Sequence, residues 1–184
     1  LNVVFPHQLF QNSPIFENKA PIYLVEEYLF FKHYKFHKQK IAFHRATMKC
    51  YADYVTKEKN IAVTYVESIE KIADIRFLIP ALKRKGYSHI NYIDPTDNWL
   101  QKRLNKGLKA EGFTFKQFTS PLFLNSKDDL TSFFSLDKKK YHQTSFYIEQ
   151  RKNSRILLDS DGKPEGGAWT YDTQNRKKYP KTKT

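Results

Sequence analysis

Short apolar runs alternate with amphipathic stretches over the first two thirds of the chain, and this alternation restricts the fold more than any other feature. Five runs have the length and the β-branched or aromatic content of strands, and they cover residues 1–5, 21–26, 61–66, 89–93 and 113–118. Helical spacing of apolar residues follows over 37–57, 69–85 and from Thr96 or Asp97 to Gly112. Such alternation is typical of a parallel sheet covered by helices. We therefore predict an α/β fold with a Rossmann-like, open, mainly parallel five-stranded sheet and helices on both faces.

Two of these segments carry further local information. The run 21–26 is apolar almost throughout, which predicts a central strand that is covered on both faces. Pro80 lies inside the helical pattern of residues 69–85, so we expect it to kink that helix or to divide it in two.

The character of the sequence changes after residue 120. Two short helices are predicted over 128–136 and 144–152, and residues 159–184 are rich in Gly, Pro, Asp and Lys with little periodicity, which predicts an extended basic tail. Residues 138–184 hold 12 Lys and Arg against 5 Asp and Glu. This excess indicates either a nucleic-acid-binding face or a solvated terminus. We divide the chain into an α/β domain, 1–136, and a basic helix with a connecting segment, 137–184.

Composition limits the classes of protein to which the chain can belong. Its 184 residues are 40% hydrophobic, enough for a core, and the net charge of +13 favours polyanionic partners in general. No apolar run approaches the roughly 18 residues of a membrane span, and residues 1–5 lack the basic flank of a secretory signal. We expect no membrane association and a cytoplasmic location.

The single cysteine, Cys50, rules out an internal disulfide framework and any cysteine-ligated zinc or iron–sulfur site held by this chain alone. It fits a reducing compartment. Because Cys50 falls in an apolar helical pattern, we predict a buried, inert thiol. The spacing of the six histidines matches no metal motif, and no nucleophile has a neighbouring base, so we assign no catalytic and no metal-binding residue.

The segment after the first strand decides against common nucleotide sites. It has the sequence FPHQLF over residues 5–10, with no Gly-rich phosphate loop. The carboxyl ends of parallel strands still form the usual ligand crevice, which here would take His7 and Gln8 after the first strand and Glu26 and Glu27 after the second. The alternative is a charged strand end with solvent-facing histidines. Residues 38–40 and 138–140 are candidate phosphate contacts or simply solubilising surface.

Several segments resemble the deoxyribodipyrimidine photolyase-related proteins, the iron–sulfur bacterial photolyase and cryptochrome family. The similar segments are FPHQL at 5–9, VEE at 25–27, HKQKIAFHR at 37–45, SFYIEQR at 145–151 and GGAWTYDTQNR at 166–176. The resemblance runs over nearly the whole chain, and the two-glycine segment is its most specific part. It implies an amino-terminal antenna domain, followed in the family by a helical domain that binds FAD and a four-iron cluster.

The resemblance implies light-driven repair of UV-damaged DNA, with the (6-4) photoproduct as the expected lesion and FAD as the electron donor. This chain alone is expected to be inactive, because the FAD domain is absent from it, and that missing domain is its expected partner. Residues 166–176 would then ordinarily dock, through Trp169 and Tyr171, against that missing half. The chain's own expected contribution is to hold an antenna chromophore of the 6,7-dimethyl-8-ribityllumazine type. The matching cofactor-binding positions are Pro6, His7, Gln8, Glu26, His33 and His44.

The sequence departs from the family pattern at residues 28–31, which are bulky and could fill the pocket, and at His44, where an aliphatic residue is common in the family. Two other functions stay open. One is a stand-alone nucleotide- or flavin-binding module that uses the same crevice, and the other is a basic nucleic-acid-binding adaptor that acts through residues 138–184.

Overall fold

The structure, a computed structural model, describes residues 1–176 and residue 178. The chain divides into two compact units, Leu1–Leu124 and a second that begins at Asn125. None of the helices in the described ranges combines the length and the apolar content that crossing a bilayer requires.

The first unit is built on a five-stranded sheet. Its strands are β1 (Asn2–Val4), β2 (Ile22–Val25), β3 (Val63–Val66), β4 (His89–Ile93) and β5 (Thr114–Phe118). Their order across the sheet is β3-β2-β1-β4-β5, and every neighbouring pair is parallel. The predicted Rossmann-like parallel sheet is confirmed, and β2 lies inside it between β1 and β3, as its continuous apolar run predicted.

Four α-helices connect these strands: α1 (Tyr28–Phe31), α2 (Lys38–Glu58), α3 (Ile75–Arg84) and α4 (Asn98–Ala110). The helix predicted over 69–85 is wrong in its first part. A short 3-10 turn, Lys71–Ala73, precedes Asp74, which has an extended backbone and accepts a hydrogen bond from the backbone N–H of Arg76. Asp74 therefore caps the start of α3, and the helix continues through Pro80 without a break.

Both faces of the sheet are covered, because successive strand residues point to opposite sides. Val3 and Tyr92 pack with α3 and α4 on one face. Val4 and Ile93 pack on the other face with Met48 and neighbouring residues of α2. The predicted helices on both faces are thereby confirmed.

The prediction of a buried Cys50 is wrong, since the thiol is exposed. The buried stripe of α2 consists of Met48, Tyr51 and Val55. Cys50 follows Met48 by two residues, a rotation of roughly 200° around a helix, which turns its side chain away from the sheet.

The second unit contains α5 (Lys127–Phe133), α6 (Gln143–Ser154) and α7 (Asp172–Asn175), with a short 3-10 turn at Glu165–Gly167. The guanidinium of Arg151 is buried and donates to the carbonyl oxygens of Leu157 and Trp169. It lies 5.3 Å from the Trp169 ring, so Trp169 packs on α6 of its own unit. The predicted basic tail continues over residue 177 and residues 179–184, which lie outside the described residues.

Candidate functional site

The crevice between β1 and β4 is where the order of the strands reverses, and ligands of open parallel sheets usually bind at such a point. In this structure, side chains that follow β1 bridge it. His7 Nε2 lies 2.8 Å from the carbonyl oxygen of Pro95, and Gln8 Nε2 donates to the carbonyl oxygen of Ile93 at 3.0 Å. The loop after β1 is therefore tied to the end of β4.

The Gln8 side chain is buried and forms hydrogen bonds to backbone groups of the protein. Its side-chain oxygen accepts from the backbone N–H of Phe5 at 3.3 Å, and its amide nitrogen also reaches the carbonyl oxygen of Asp94. With 1% of its surface exposed, Gln8 shapes the loop from inside the protein.

A cleft of about 680 Å³ opens beside this loop, between residues 6–11 and one face of α2. We call it the β1–α2 cleft. It is lined by Pro6, His7, Leu9, Phe10, Gln11, Phe43, His44, Thr47, Cys50, Tyr51 and Tyr54. Of the six predicted site residues, the structure brings Pro6, His7 and His44 together here. None of residues 28–31 belongs to the lining, so their bulk does not fill this cleft.

Sequence reasoning missed most of the α2 side of the cleft. Phe43, Thr47, Tyr51 and Tyr54 follow one another at helical spacing, which places them along one face of α2. Aromatic residues at that spacing are usual for a core-facing helix stripe, and Phe43 departs from it because 69% of its surface is exposed. The sequence signal that could have revealed this wall is a long helix whose aromatic residues extend beyond its buried stripe.

Among the described residues, none that lines the cleft has a carboxylate, an ammonium or a guanidinium group. The lack of charged groups in the lining is informative because 28% of the residues in the chain are charged. Burial lowers the pKa of both His7 and His44, so both imidazoles are mostly neutral at pH 7. The cleft is thus suited to an uncharged, largely apolar or aromatic ligand, and it lacks a cation that would hold a phosphate.

The hydrogen bond to Pro95 sets the tautomer of the neutral His7 ring. A carbonyl oxygen only accepts, so Nε2 carries the proton, and Nδ1 is left as an acceptor. That Nδ1 is buried and has no hydrogen-bond partner among the described residues. The ring packs 4.9 Å from the Phe30 ring, which holds it in place.

Two tyrosine hydroxyls of α2 fasten the loop that forms the other wall. Tyr51 donates to the carbonyl oxygen of Phe10 at 2.9 Å, and Tyr54 donates to that of Gln11 at 3.3 Å. Burial raises the pKa of Tyr51, so its hydroxyl stays protonated and remains a donor. These bonds keep the two walls of the cleft at a fixed separation.

Glu26 lies outside the cleft and anchors α2 to the sheet. Its side chain is fully buried, and it accepts from Arg45 Nε and Nη2 at 2.7 and 2.6 Å, from the Tyr65 hydroxyl at 2.7 Å and from the backbone N–H of Ser68 at 2.8 Å. Burial alone would raise the pKa of Glu26, but these hydrogen bonds outweigh it and lower the pKa to about 2. Because Arg45 follows His44 on α2, this ion pair positions the cleft wall.

Comparison with known proteins adds an independent observation. Residues 2–184 match the family described as deoxyribodipyrimidine photo-lyase-related protein. The chain belongs to this family. It is also similar to Uncharacterized protein R852 of Acanthamoeba polyphaga mimivirus, with 31% identity over 188 residues that cover 97% of this chain and 94% of the viral protein.

In this photolyase-related chain, the FPHQL segment at residues 5–9 has a structural role at the cleft. Pro6 and His7 line the cleft, while His7 and Gln8 tie the loop to β4. The VEE segment at residues 25–27 has a comparable role, because Glu26 binds α2 and Glu27 caps α1 through the backbone N–H of Leu29.

Glu27 is fully buried like its neighbour, but it has no cation in contact among the described residues. It accepts from two backbone N–H groups, at Leu29 and Ile75. Burial outweighs these bonds and raises its pKa to about 7.

His33 of the photolyase-related chain lies in a different aromatic group and does not line the cleft. Its ring is packed edge-on against Tyr28, Tyr34 and Trp99, at 5.9, 4.4 and 5.2 Å between ring centres. Tyr34 in turn packs against Phe36 at 6.0 Å. We call these five rings, namely Tyr28, His33, Tyr34, Phe36 and Trp99, the Trp99 cluster.

Proposed function

We propose that the Leu1–Leu124 unit is the antenna-binding unit of a photolyase-related protein, and that the β1–α2 cleft takes a chromophore of the ribityl-lumazine class. When bound, such a group supplies absorption of light. The observation that carries the proposal is an aromatic-lined cleft without a charged side chain in a strongly basic chain.

The residues of the cleft fit this group. Its volume of about 680 Å³ lies in the range of small-molecule sites, roughly 300–1,000 Å³. Phe10, Phe43 and Tyr54 supply aromatic walls for a flat ring, and Gln11 and His44 supply polar atoms for a hydroxylated chain. Burial keeps His44 mostly uncharged at pH 7, which suits a neutral ligand.

The same observation favours a ribityl-lumazine over a nucleotide or a flavin nucleotide. FMN and FAD carry phosphates, which proteins bind through Arg, Lys or clustered backbone N–H groups. The described residues that line the cleft include no Arg or Lys. A ribityl-lumazine has the flat ring and the hydroxylated chain without the phosphate.

Membership of the family, and not the cleft, supports a proposal for the wider activity. We propose that the unit serves light-driven repair of UV-damaged DNA, with the (6-4) photoproduct as the lesion and FAD as the electron donor. A four-iron cluster takes four cysteine ligands, and this sequence contains Cys50 alone, so its own cysteines do not hold such a cluster.

Fluorescence titration of the purified chain tests the chromophore proposal. We expect 6,7-dimethyl-8-ribityllumazine to bind with a change in emission, and riboflavin to bind more tightly than FMN, which differs from it by one phosphate. His44→Trp should weaken lumazine binding by at least about tenfold, because the larger ring occupies the cleft. The matched control is His142→Trp, the same substitution at an exposed position in the other unit.

Two outcomes would contradict the proposal. Equal binding in the His44→Trp variant would show that the ligand occupies another place. Tighter binding of FMN than of riboflavin would show that a phosphate is recognised, and it would favour the nucleotide-binding module instead.

A further inference from the structure

The Trp99 cluster presents large aromatic faces at the surface of the first unit. Tyr34 is 60% exposed and Trp99 is 51% exposed, although both rings are held in place by His33. Trp99 stands in the first turn of α4, two residues after the capping residue Asp97, and Tyr34 stands in the loop that leads to α2. Exposed rings on a firmly packed base form a ready stacking surface.

The segment that carries His33, Tyr34 and Phe36 is strongly basic. Residues 28–52 contain six Lys and Arg and no Asp or Glu. Arg45 and Lys49 are used in ion pairs with Glu26 and Glu67. The four lysines that precede them are exposed and have no carboxylate within 4.0 Å in the described part of the chain, and they are Lys32, Lys35, Lys38 and Lys40.

Rings and lysines alternate along one short segment. Residues 32–40 have the sequence KHYKFHKQK, and Lys40 Nζ lies 4.0 Å from the centre of the Phe36 ring. Lysines between aromatic residues are the pattern of surfaces that track a phosphodiester backbone while bases stack on the rings. An apolar protein partner would not require four unpaired ammonium groups, and a duplex would not offer free base faces.

We propose that the Trp99 cluster and Lys32, Lys35, Lys38 and Lys40 form a binding surface for single-stranded nucleic acid. Bases stack on Tyr34 and Trp99, and the lysines neutralise phosphates. Stacking accepts every base, so the surface has little sequence preference. This inference is independent of the β1–α2 cleft, since it uses none of the residues that line it.

Fluorescence anisotropy with a labelled 20-nucleotide oligothymidylate tests the stacking half of the proposal on the full chain. Tyr34→Ala and Trp99→Ala should each raise the Kd at least about fivefold, the lower end for loss of one base–aromatic stack. Phe115→Ala is the matched control, because Phe115 is 49% exposed and lies on β5, and its Kd should not change. Quenching of tryptophan emission should be lost in Trp99→Phe and kept in Trp169→Phe.

Salt dependence tests the phosphate half. The double substitution Lys35→Gln and Lys38→Gln should reduce the slope of log K against log salt by about 1.4, which is about 0.7 for each phosphate contact on a single strand. The double substitution Lys106→Gln and Lys109→Gln removes the same charge from exposed positions of α4 and should leave the slope unchanged.

Three results would overturn the proposal. The first is duplex DNA that binds as tightly as the single strand and with the same sensitivity to these variants. The second is an equal loss of slope in both lysine pairs, which would indicate a diffuse effect of net charge. The third is a shift of oligomeric state in Tyr34→Ala or Trp99→Ala with unchanged oligonucleotide binding, which would identify a second copy of the chain as the partner.

Discussion

At the scale of single residues, Glu26 and Glu27 show how strongly partners decide the state of a carboxyl group. The two side chains are neighbours and both are fully buried. Glu26 receives a bidentate guanidinium and has a pKa of about 2, whereas Glu27 receives backbone N–H groups alone and has a pKa of about 7. The sequence places this acidic pair at a strand end, but Arg45 and Ile75, which distinguish the two, come from distant positions.

Glu27 predicts an unusual pH dependence of stability. Its folded pKa lies above the unfolded value of 4.5, so its favourable contribution is complete below pH 4.5 and is lost as the pH rises through about 7. Relative to Glu27→Gln, the free energy of unfolding of the wild type should fall over this window by up to roughly 3 kcal/mol. Urea denaturation at a series of pH values measures the difference.

Glu58→Gln serves as the control for this measurement, because Glu58 is exposed on the last turn of α2. It should leave the pH dependence of the wild type intact. Parallel curves for the wild type and Glu27→Gln would show that the carboxyl group ionises equally easily in both states.

Glu26 predicts the opposite sign in a lower pH range. Its folded pKa lies below the unfolded value of 4.5, so its contribution is present above pH 4.5 and is lost as the pH falls to about 2. Glu26→Gln should cost about 2 kcal/mol or more at pH 7, because it leaves the Arg45 guanidinium without its partner. The variant should also lose less stability than the wild type on acidification.

The Lys49–Glu67 ion pair is a natural comparison for the same denaturation experiment. Its side chains are 50% and 39% exposed, against 0% for Glu26. Lys49→Gln should therefore cost less than about 1 kcal/mol. Similar losses of unfolding free energy for Lys49→Gln and Glu26→Gln would mean that burial of the Glu26 carboxylate does not strengthen its ion pair.

At the scale of elements, the contact between α3 and α4 depends on a missing side chain. A Cβ on Gly107 would lie 2.6 Å from Cδ1 of Ile79. Gly107→Ala gains helix propensity, roughly 1 kcal/mol, but it forces this methyl group aside. We expect Gly107→Ala to be less favourable in the wild type than in an Ile79→Val background, with a coupling of about 1 kcal/mol in a double-mutant cycle.

The neighbouring substitution Lys106→Ala provides the control cycle, since Lys106 is exposed on α4. It should show no coupling to Ile79→Val. If Gly107→Ala and Ile79→Val were also additive, α3 and α4 would separate easily enough to accept the added methyl group.

The elements also show where sequence patterns succeed and where they fail. The predicted strand 89–93 has the bounds of β4, and Asp97, one of the two predicted caps, begins α4, because periodicity and capping are local signals. The sequence pattern places the start of α3 too early because residues 69–74 share the apolar spacing of a helix, whereas Asp74 caps the helix and begins it later. The prediction for Cys50 is wrong because a single apolar residue in a helical pattern does not show which face of α2 is buried.

At the scale of the whole molecule, half of the predicted site residues came together. Pro6, His7 and His44 line the cleft because the loop after β1 and the start of α2 meet at the same edge of the sheet. Glu26 and Gln8 lie near that edge too, yet their polar atoms are used by the sheet and by Arg45. Which polar group faces a cleft and which faces the protein depends on tertiary partners, and the spacing of residues in a sequence does not contain them.

Because the chain has two compact units, a ligand that binds one unit should stabilise that unit selectively. A ligand that binds the folded first unit alone stabilises it by mass action, by about 2.7 kcal/mol at a concentration 100 times its Kd. Ribityl-lumazine at that concentration should therefore slow amide hydrogen exchange throughout Leu1–Leu124 and leave α6 unchanged. His44→Trp should abolish this protection, and His142→Trp should retain it. Equal protection in both units would mean that they unfold as one cooperative body, and protection confined to α6 would place the chromophore outside the β1–α2 cleft.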